Sequence, residues 1–283
     1  LAQTIVADVV PFERRGRAMG IVMSSFAVAT VAGVPLGLLL ANAFGWQAAF
    51  VAIAALSALL CVGAALTLPP LRHHLHAGPP AIWRGIGQVL ADRNHWRAFA
   101  LSALLMFTGF TVIPFITIYM QANVGLTDAD IPVVYLVGGA ATLVTARWFG
   151  RMTDRLGKVP TFNRLAITAA VPLMAITVLP PAPLWQVLFV STAFFALFSG
   201  RMIPGMAILT SAAQPALRGT FMALNASVQS AAMGMASLLG GLIISRDAAG
   251  RVEHYGLAGL VGVVACLCSI ALDRRLHLHG SGA

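Results

Sequence analysis

Long apolar runs separated by short polar segments dominate the chain. Eight of these runs are 20 residues or longer, and they cover residues 16–41, 46–68, 97–122, 130–149, 160–180, 184–212, 218–245 and 254–274. An α-helix of about 20 apolar residues is long enough to cross roughly 30 Å of hydrocarbon. A shorter apolar stretch, residues 1–10, precedes them and is typical of the end of another helix. The pattern predicts an all-α protein with several membrane-spanning helices.

The composition narrows the class further. Of the 283 residues, 59% are hydrophobic and 10% are charged, whereas soluble domains carry about 25% charged residues. A soluble enzyme, a nucleic-acid-binding module and a disordered protein are excluded on this ground. The net charge of +9 does not indicate nucleic acid, because the basic residues lie in short turns, where they signal membrane topology.

One polar segment divides the predicted spans. Residues 69–96 contain Pro69, Pro70, Pro79 and Pro80 and several basic side chains, and they are too long for a turn. We expect residues 1–68 to belong to one helical bundle, residues 69–96 to form a cytoplasmic loop, and residues 97–283 to form a second, six-helix bundle. Fourteen Lys or Arg residues fall on one side of this topology and only Arg246 and Arg251 on the other. The bias predicts a cytoplasmic C-terminus.

Two segments 203 residues apart resemble one another. Their matching pairs are Arg15 and Arg218, Gly16 and Gly219, Met19 and Met222, Ser24 and Ser227, and Gly37 and Gly240. An offset near 200 residues is about the length of six spans with short loops, so it predicts two six-helix halves related as parallel repeats. On this count the chain is expected to be N-terminally truncated, with about three and a half helices missing upstream.

The segment GRMTDRLGK, residues 150–158, lies between the fourth and fifth spans. It resembles the G-x-x-x-D-R-x-G-[RK] loop of the major facilitator superfamily of twelve-helix secondary transporters, and the matching residues are Gly150, Asp154, Arg155, Gly157 and Lys158. The resemblance implies the major facilitator fold, two six-helix bundles, of which this chain holds the tail of helix 4 and helices 5 to 12.

This motif predicts a cytoplasmic gate or latch. Asp154 is expected to bind backbone N–H groups or a helix N-terminus, and Arg155 to pair with a carboxylate of the other half, Glu13 or Asp8. An ordinary positively charged turn is the alternative interpretation.

A second motif lies in the first span, which the count makes helix 5. It resembles the antiporter motif of drug/proton exporters, a glycine row ending in G-P-x-x-G-G, and the matching residues are Gly20, Gly33, Pro35 and Gly37. The sequence departs from that motif at Ala29, Val34 and Leu38. Small residues four apart let another helix approach closely, and a proline bends its helix. The motif therefore favours a gating surface at the seam between halves, with ordinary helix packing as the alternative.

Two features predict a substrate cavity. Gly109 and Pro114 permit a break in the middle of span 97–122, where transporters build binding sites. Arg201 lies inside span 184–212 with no acidic partner there, so we expect it to face an aqueous pathway and attract an anionic group; snorkelling to the inner interface is the alternative. The full set of expected cavity residues is Phe107, Phe110, Thr111, Phe115, Arg201, Asn225 and Gln229. Lipid-facing phenylalanines and an interhelical hydrogen bond from the Asn225/Gln229 pair are the alternatives.

The expected function is secondary active transport by alternating access, most simply proton-coupled efflux of a drug-like or sugar-like molecule. No acidic residue lies mid-span, so the coupling carboxylate is expected on the missing part, and the chain by itself is expected not to transport.

We expect no enzyme activity, cofactor or metal site; the histidines of residues 72–76 and His277 and His279 fit a solvated loop. The expected partners are a lipid bilayer, a small-molecule substrate and protons, with a full-length monomer in the cell membrane. An uptake symporter or facilitator, and a noncatalytic partial-bundle protein, remain alternatives.

Overall fold

The computed structural model describes residues 33–67 and 82–279. They belong to two units that meet in sequence between Pro80 and Ala81. The apolar stretch 1–10, the repeat copy at residues 15–24 and most of the first predicted span lie outside the described residues.

The first unit contributes two helices. Helix α1 is described over Val34–Phe44 and helix α2 covers Trp46–Thr67. Gly45 alone joins them, with a φ of 88° that side chains rarely adopt, and its N–H donates to the carbonyl of Ala41. Large apolar side chains on α2 are exposed along its whole length, from Trp46 to Leu66. A helix that is apolar all round is typical of a membrane span.

The second unit is a bundle of six long helices and two short ones. Its elements are α3 (Ile82–Ala91), α4 (Arg93–Phe110), α5 (Ile116–Tyr119), α6 (Asp130–Leu156), α7 (Lys158–Thr177), α8 (Leu184–Ala212), α9 (Arg218–Ile243) and α10 (Tyr255–Asp273). Strands β1 (Ser245–Arg246) and β2 (Val252–Glu253) form an antiparallel hairpin between α9 and α10. Helix α8 packs along α6 and α7, and α4 packs along α9 and α10.

The interior of this bundle is apolar and so is much of its outside. Phe162, Phe221 and Leu105 are fully buried in the core, whereas Val144 and Leu242 are 74% and 75% exposed. Within the described residues, seven helices are long and apolar enough to cross a membrane: α2, α4 with its continuation to Val124, α6, α7, α8, α9 and α10. The predicted all-α membrane architecture is confirmed, and the seven helices match seven of the eight spans read from the sequence.

Two boundaries differ from the hydropathy pattern. Helix α6 continues seven residues beyond the predicted end of its span and stops at Leu156, because a helix can project from the membrane through polar residues. Residues 82–96 lie in the segment expected to be a loop, yet they form α3 and the first turn of α4.

Candidate functional site

The membrane-spanning helix that begins as α4 is interrupted near its middle. Helix α4 ends at Phe110, Ile113–Phe115 form one 3₁₀ turn, and α5 runs into a π-helical turn over Met120–Val124. Pro114 has no N–H to donate to the carbonyl of Phe110, and that carbonyl accepts a hydrogen bond from the hydroxyl of Ser237 at 3.4 Å instead. The carbonyl of Val112 accepts from the N–H of Phe115 and also from the hydroxyl of Tyr255 at 3.0 Å. The break expected at Gly109 and Pro114 is therefore present in the structure.

Glycines of two other helices lie against the backbone of this break. A Cβ on Gly240 of α9 would lie 2.6 Å from the carbonyl oxygen of Thr111, and one on Gly262 of α10 would lie 2.7 Å from that of Thr108. Both distances are shorter than any real carbon contact, so only glycine fits at either position. The break is held between α9 and α10 by backbone packing, which the sequence did not reveal.

Arg201 lies inside the bundle rather than on an open surface. Its side chain is fully buried, with one guanidinium nitrogen donating to the carbonyl of Leu105 at 2.9 Å and the other to the sulfur of Cys266 at 3.6 Å. The guanidinium carbon lies 4.6 Å from the centre of the Phe198 ring, within the range of a cation–π interaction. The expectation that Arg201 faces an aqueous pathway is wrong for this structure, because carbonyl, sulfur and ring surround it.

The two amides of α9 have different surroundings. Gln229 donates to the hydroxyl of Ser102 on α4 at 3.0 Å, which is the interhelical hydrogen bond that was the alternative interpretation. Asn225, one turn earlier, is 1% exposed and its side-chain oxygen has no hydrogen-bond partner. Both side chains lie on the side of α9 that packs against α4.

Of the predicted aromatic residues, only Phe115 lines either of two spaces among the described residues. Phe115 contributes to a space of about 260 Å³ beside the β-hairpin. Phe107 and Phe110 are half-buried, while Thr111 is fully buried and bonds the carbonyl of Thr108. A second space, of about 430 Å³, lies between Ile86 of α3 and the first turns of α9. Neither space contains Arg201 or the α9 amides.

The motif at residues 150–158 is mostly helical. Gly150, Asp154 and Arg155 lie in the last two turns of α6, and Gly157 alone makes the turn into α7 with a φ of 88°. Asp154 and Arg155 are exposed, and neither forms an ion pair within the described residues. Their expected partners, Asp8 and Glu13, lie outside the described residues.

Lys158, the last residue of the motif, belongs to a hydrogen-bonded network that the sequence did not predict. Its ammonium donates to the hydroxyl of Ser211 at 2.6 Å, and the carbonyl of Ser211 accepts from the N–H of His279. Nearby, Asn94 donates to the carbonyls of Ala212 and His277. The network joins the starts of α4 and α7, the end of α8 and the C-terminal segment at one end of the bundle.

The second motif falls at the edge of the described residues. Gly20 lies outside them, Pro35 is buried and Gly37 half-buried. A Cβ placed on Gly33 or Gly37 meets nothing within 4 Å. The close helix approach expected at these glycines is therefore not found among the described residues.

No group of three or more His, Cys, Asp or Glu side chains that could hold a metal was found in residues 33–67 and 82–279.

The fold defines a polytopic α-helical membrane protein. The family model described as Major Facilitator Superfamily matches residues 1–182 and again residues 98–279. The chain belongs to the Major Facilitator Superfamily.

Relatives and a solved structure agree with this membership. The chain is 29% identical over 273 residues to a chloramphenicol resistance protein of Streptomyces lividans, covering 94% of this chain and 67% of that protein. It is 22% identical over 272 residues to a probable sugar efflux transporter of Pasteurella multocida, covering 95% and 63%. A bacterial homolog of the human lysosomal transporter Spinster, solved inward-facing and unoccupied, has a TM-score of 0.61 at 16% identity and covers 97% of this chain and 74% of that chain. The chain thus spans about two thirds of the length of the curated relatives it matches.

Proposed function

We propose that this protein is a secondary active transporter that works by alternating access and exports a drug-like or sugar-like small molecule in exchange for protons. The observation that carries the proposal is the discontinuous helix α4–α5 in the six-helix unit of a Major Facilitator Superfamily chain. Interrupted helices near the bilayer midplane are where such transporters bind substrates. Relatives named for chloramphenicol resistance and for sugar efflux favour export and this substrate class.

The substrate contacts are assigned to side chains around the break. Phe107, Phe110 and Phe115 are half-buried, so each keeps part of its ring free for an apolar or sugar-like surface. Gln229 is half-buried and supplies an amide on α9, whereas Asn225, one turn earlier, is 1% exposed and is not assigned to the substrate. Arg201 has another role in this proposal, since it ties α8 to α4 and α10 from within the bundle.

The gate is assigned to the exposed end of α6. Asp154 and Arg155 keep their charged groups at the surface of the six-helix unit, whereas Lys158 of the same motif is bonded to Ser211. The two exposed charges are therefore available for groups outside this unit, as the latch requires. Gly150, Gly33, Pro35 and Gly37 complete the proposed gating surfaces.

The proton carrier is placed outside the described residues. Within residues 33–67 and 82–279, the acidic side chains lie at helix ends or in connections, as Asp92, Asp130 and Asp273 do. A coupling carboxylate must lie along the pathway to exchange a proton for substrate.

We propose that the protein resides in the cell membrane with a cytoplasmic C-terminus, and the distribution of basic residues supports this. Arg97, Arg155, Arg164, Arg218 and Arg274 all lie at one end of the bundle, where α4, α7 and α9 begin and α6 and α10 end. Lys and Arg accumulate on the cytoplasmic side of membrane proteins. A reporter that is active only on the non-cytoplasmic side of the membrane is fused after residue 279 and should give no signal. A strong signal would show that the C-terminus has the opposite orientation.

To test transport, the entire open reading frame is expressed in a host strain that lacks its own exporters. Everted vesicles receive labelled chloramphenicol or a labelled disaccharide under an inside-acid pH gradient. Gradient-driven accumulation of either probe supports the proposal. Flux only in the opposite direction identifies an uptake symporter and contradicts it, and so does the absence of any gradient-dependent flux from protein folded in the membrane.

A matched pair of variants tests the gate. Asp154→Asn should lower the transport rate severalfold at unchanged expression, because the carboxylate is the group that the latch uses. Glu253→Gln is the control, since Glu253 is also exposed but lies at the hairpin end of the bundle. Normal transport by Asp154→Asn would remove the latch.

A further inference from the structure

Helix α3 packs on the bundle through only one of its faces. Val89 is fully buried and Ile86 half-buried, and a Cβ on Gly85 would lie 3.4 Å from the hydroxyl of Thr220 on α9. With 3.6 residues per turn, these positions share one side of the helix. The other sides of α3 are free of the six-helix unit.

One free side of α3 is aromatic and apolar. Trp83 is 85% exposed and Leu90, two turns later on the same side, is 41% exposed. Trp96 of α4 is 56% exposed and its indole N–H donates to the carbonyl of Leu90 at 2.8 Å. We call Trp83, Leu90 and Trp96 the aromatic stripe. Exposed tryptophans at the ends of membrane helices are typical of the interface between hydrocarbon and headgroups.

The other free side of α3 is polar and positively charged. Arg84 and Gln88, one turn apart, are exposed, and Arg93 is exposed just beyond the end of the helix. Asp92, the carboxylate that follows α3 directly in the described part of the chain, is turned inward, where it accepts hydrogen bonds from the N–H of Asn94 and the amide of Gln214. The outward charge of this surface is therefore positive.

Helix α3 lies beside the beginning of α9, close to one end of the bundle. Ile86 faces residues 219–227, the first turns of α9. Helix α9 has 26 residues, so at 1.5 Å per residue it is about 39 Å long, roughly 9 Å longer than the hydrocarbon thickness of a bilayer. Its first turns can lie in the headgroup region while the rest spans the membrane.

We propose that α3 is an interfacial helix that binds anionic phospholipid. The aromatic stripe enters the boundary between headgroups and acyl chains, and Arg84 and Arg93 hold the phosphate of an anionic headgroup. A helix with separate apolar and basic sides, lying flat at the interface, binds in this way. The positive charge selects an anionic lipid over a zwitterionic one.

The arginines are tested by a pair of double variants that remove the same charge. The purified full chain in detergent is titrated with phosphatidylglycerol, and the lipid concentration that gives half of the maximal rise in melting temperature is recorded. Each arginine near an anionic surface strengthens binding about 5-fold, so Arg84→Gln/Arg93→Gln should raise this concentration about 30-fold. Arg246→Gln/Arg251→Gln is the control, because both of its arginines are exposed at the hairpin end. A change of less than about 3-fold in the first variant, or an equal change in the control, would overturn the proposal.

The depth of the stripe is tested independently of the arginines. The wild-type chain and Trp83→Phe are reconstituted in equimolar phosphatidylcholine and phosphatidylglycerol, and the fluorescence difference between them reports Trp83. Lipids brominated close to the headgroup should quench this difference more strongly than lipids brominated at the chain ends. Quenching mainly by aqueous iodide, or by neither agent, would show that the stripe faces water or protein and would refute the interfacial placement.

Discussion

The close approach of Gly240 to the helix break is open to a direct test. A Cβ at position 240 would lie 2.6 Å from the carbonyl oxygen of Thr111 and 2.8 Å from a ring carbon of Phe115. Non-bonded heavy atoms rest at about 3.5–4.0 Å, so α9 and the break would have to separate by roughly 1 Å. The obstructing oxygen belongs to the backbone, and it cannot move away by a rotamer change as a side chain can.

The expected cost follows from two opposing effects. Overpacking by one methyl group costs about 1–3 kcal/mol, and the higher helix propensity of alanine returns up to about 1 kcal/mol. Gly240→Ala should therefore lower the free energy of unfolding by about 1–2 kcal/mol, or the melting temperature by roughly 2–8 °C.

Gly234 of the same helix provides the control. It is exposed, and a Cβ there meets nothing within 4 Å, so Gly234→Ala should leave stability unchanged or raise it by up to about 1 kcal/mol. Thermal unfolding of both variants in one detergent, followed by tryptophan fluorescence, measures the difference. If Gly240→Ala melts at the wild-type temperature, or if Gly234→Ala loses as much, then the break is not held by this contact.

Three further substitutions probe other features of the second unit, and thermal unfolding in detergent measures each. Arg201→Met should be at least as stable as wild type, since a buried cation with no carboxylate partner in the described residues is replaced by an apolar side chain of similar volume; a large loss would show that its bonds to Leu105 and Cys266 outweigh its desolvation. Asp273→Asn should raise stability by about 1–3 kcal/mol, because this carboxylate is 2% exposed and neither of its oxygens accepts a hydrogen bond of good geometry, the side chain of Asn163 and the N–H of Arg274 being the donors beside it; an unchanged melting temperature would contradict this. Gly157→Ala should cost about 1–3 kcal/mol through its φ of 88°, whereas Gly150→Ala, with open space around it, should not; equal effects would refute the strain.

Hydropathy located the membrane spans well because the spans must be apolar wherever lipid surrounds them. It located helix ends less well, as α6 shows: the helix continues through Arg151, Asp154 and Arg155 to Leu156. Polar residues mark the point where a helix leaves the hydrocarbon, and the helix itself ends only where Gly157 adopts its unusual φ. Helix α3 escaped prediction for a related reason, since Gly85 and Gly87 weaken its helix propensity and packing against α9 stabilises it.

The surroundings of the site residues could not be predicted in the same way. The sequence places Arg201 within a span, but its neighbours Leu105 and Cys266 come from helices 96 and 65 residues away. Which face of α8 meets α4 and α10 depends on the register of all three helices. The contacts of Gly240 and Gly262 with the break have the same origin. The repeat pairs Gly240 with Gly37, but it does not indicate what either Gly240 or Gly262 packs against.

These contacts bear on how the unit can move. Arg201 holds the carbonyl of Leu105, Gly262 packs on that of Thr108, Gly240 packs on that of Thr111, and Tyr255 holds that of Val112. The break in α4 is therefore constrained from α8, α9 and α10 within two helical turns, and straightening or bending it would disturb all three neighbours together. Packed interiors resist continuous deformation. A change in the geometry of the break therefore requires α8, α9 and α10 to shift with it, which is why these contacts favour a single geometry for the broken helix within the six-helix unit.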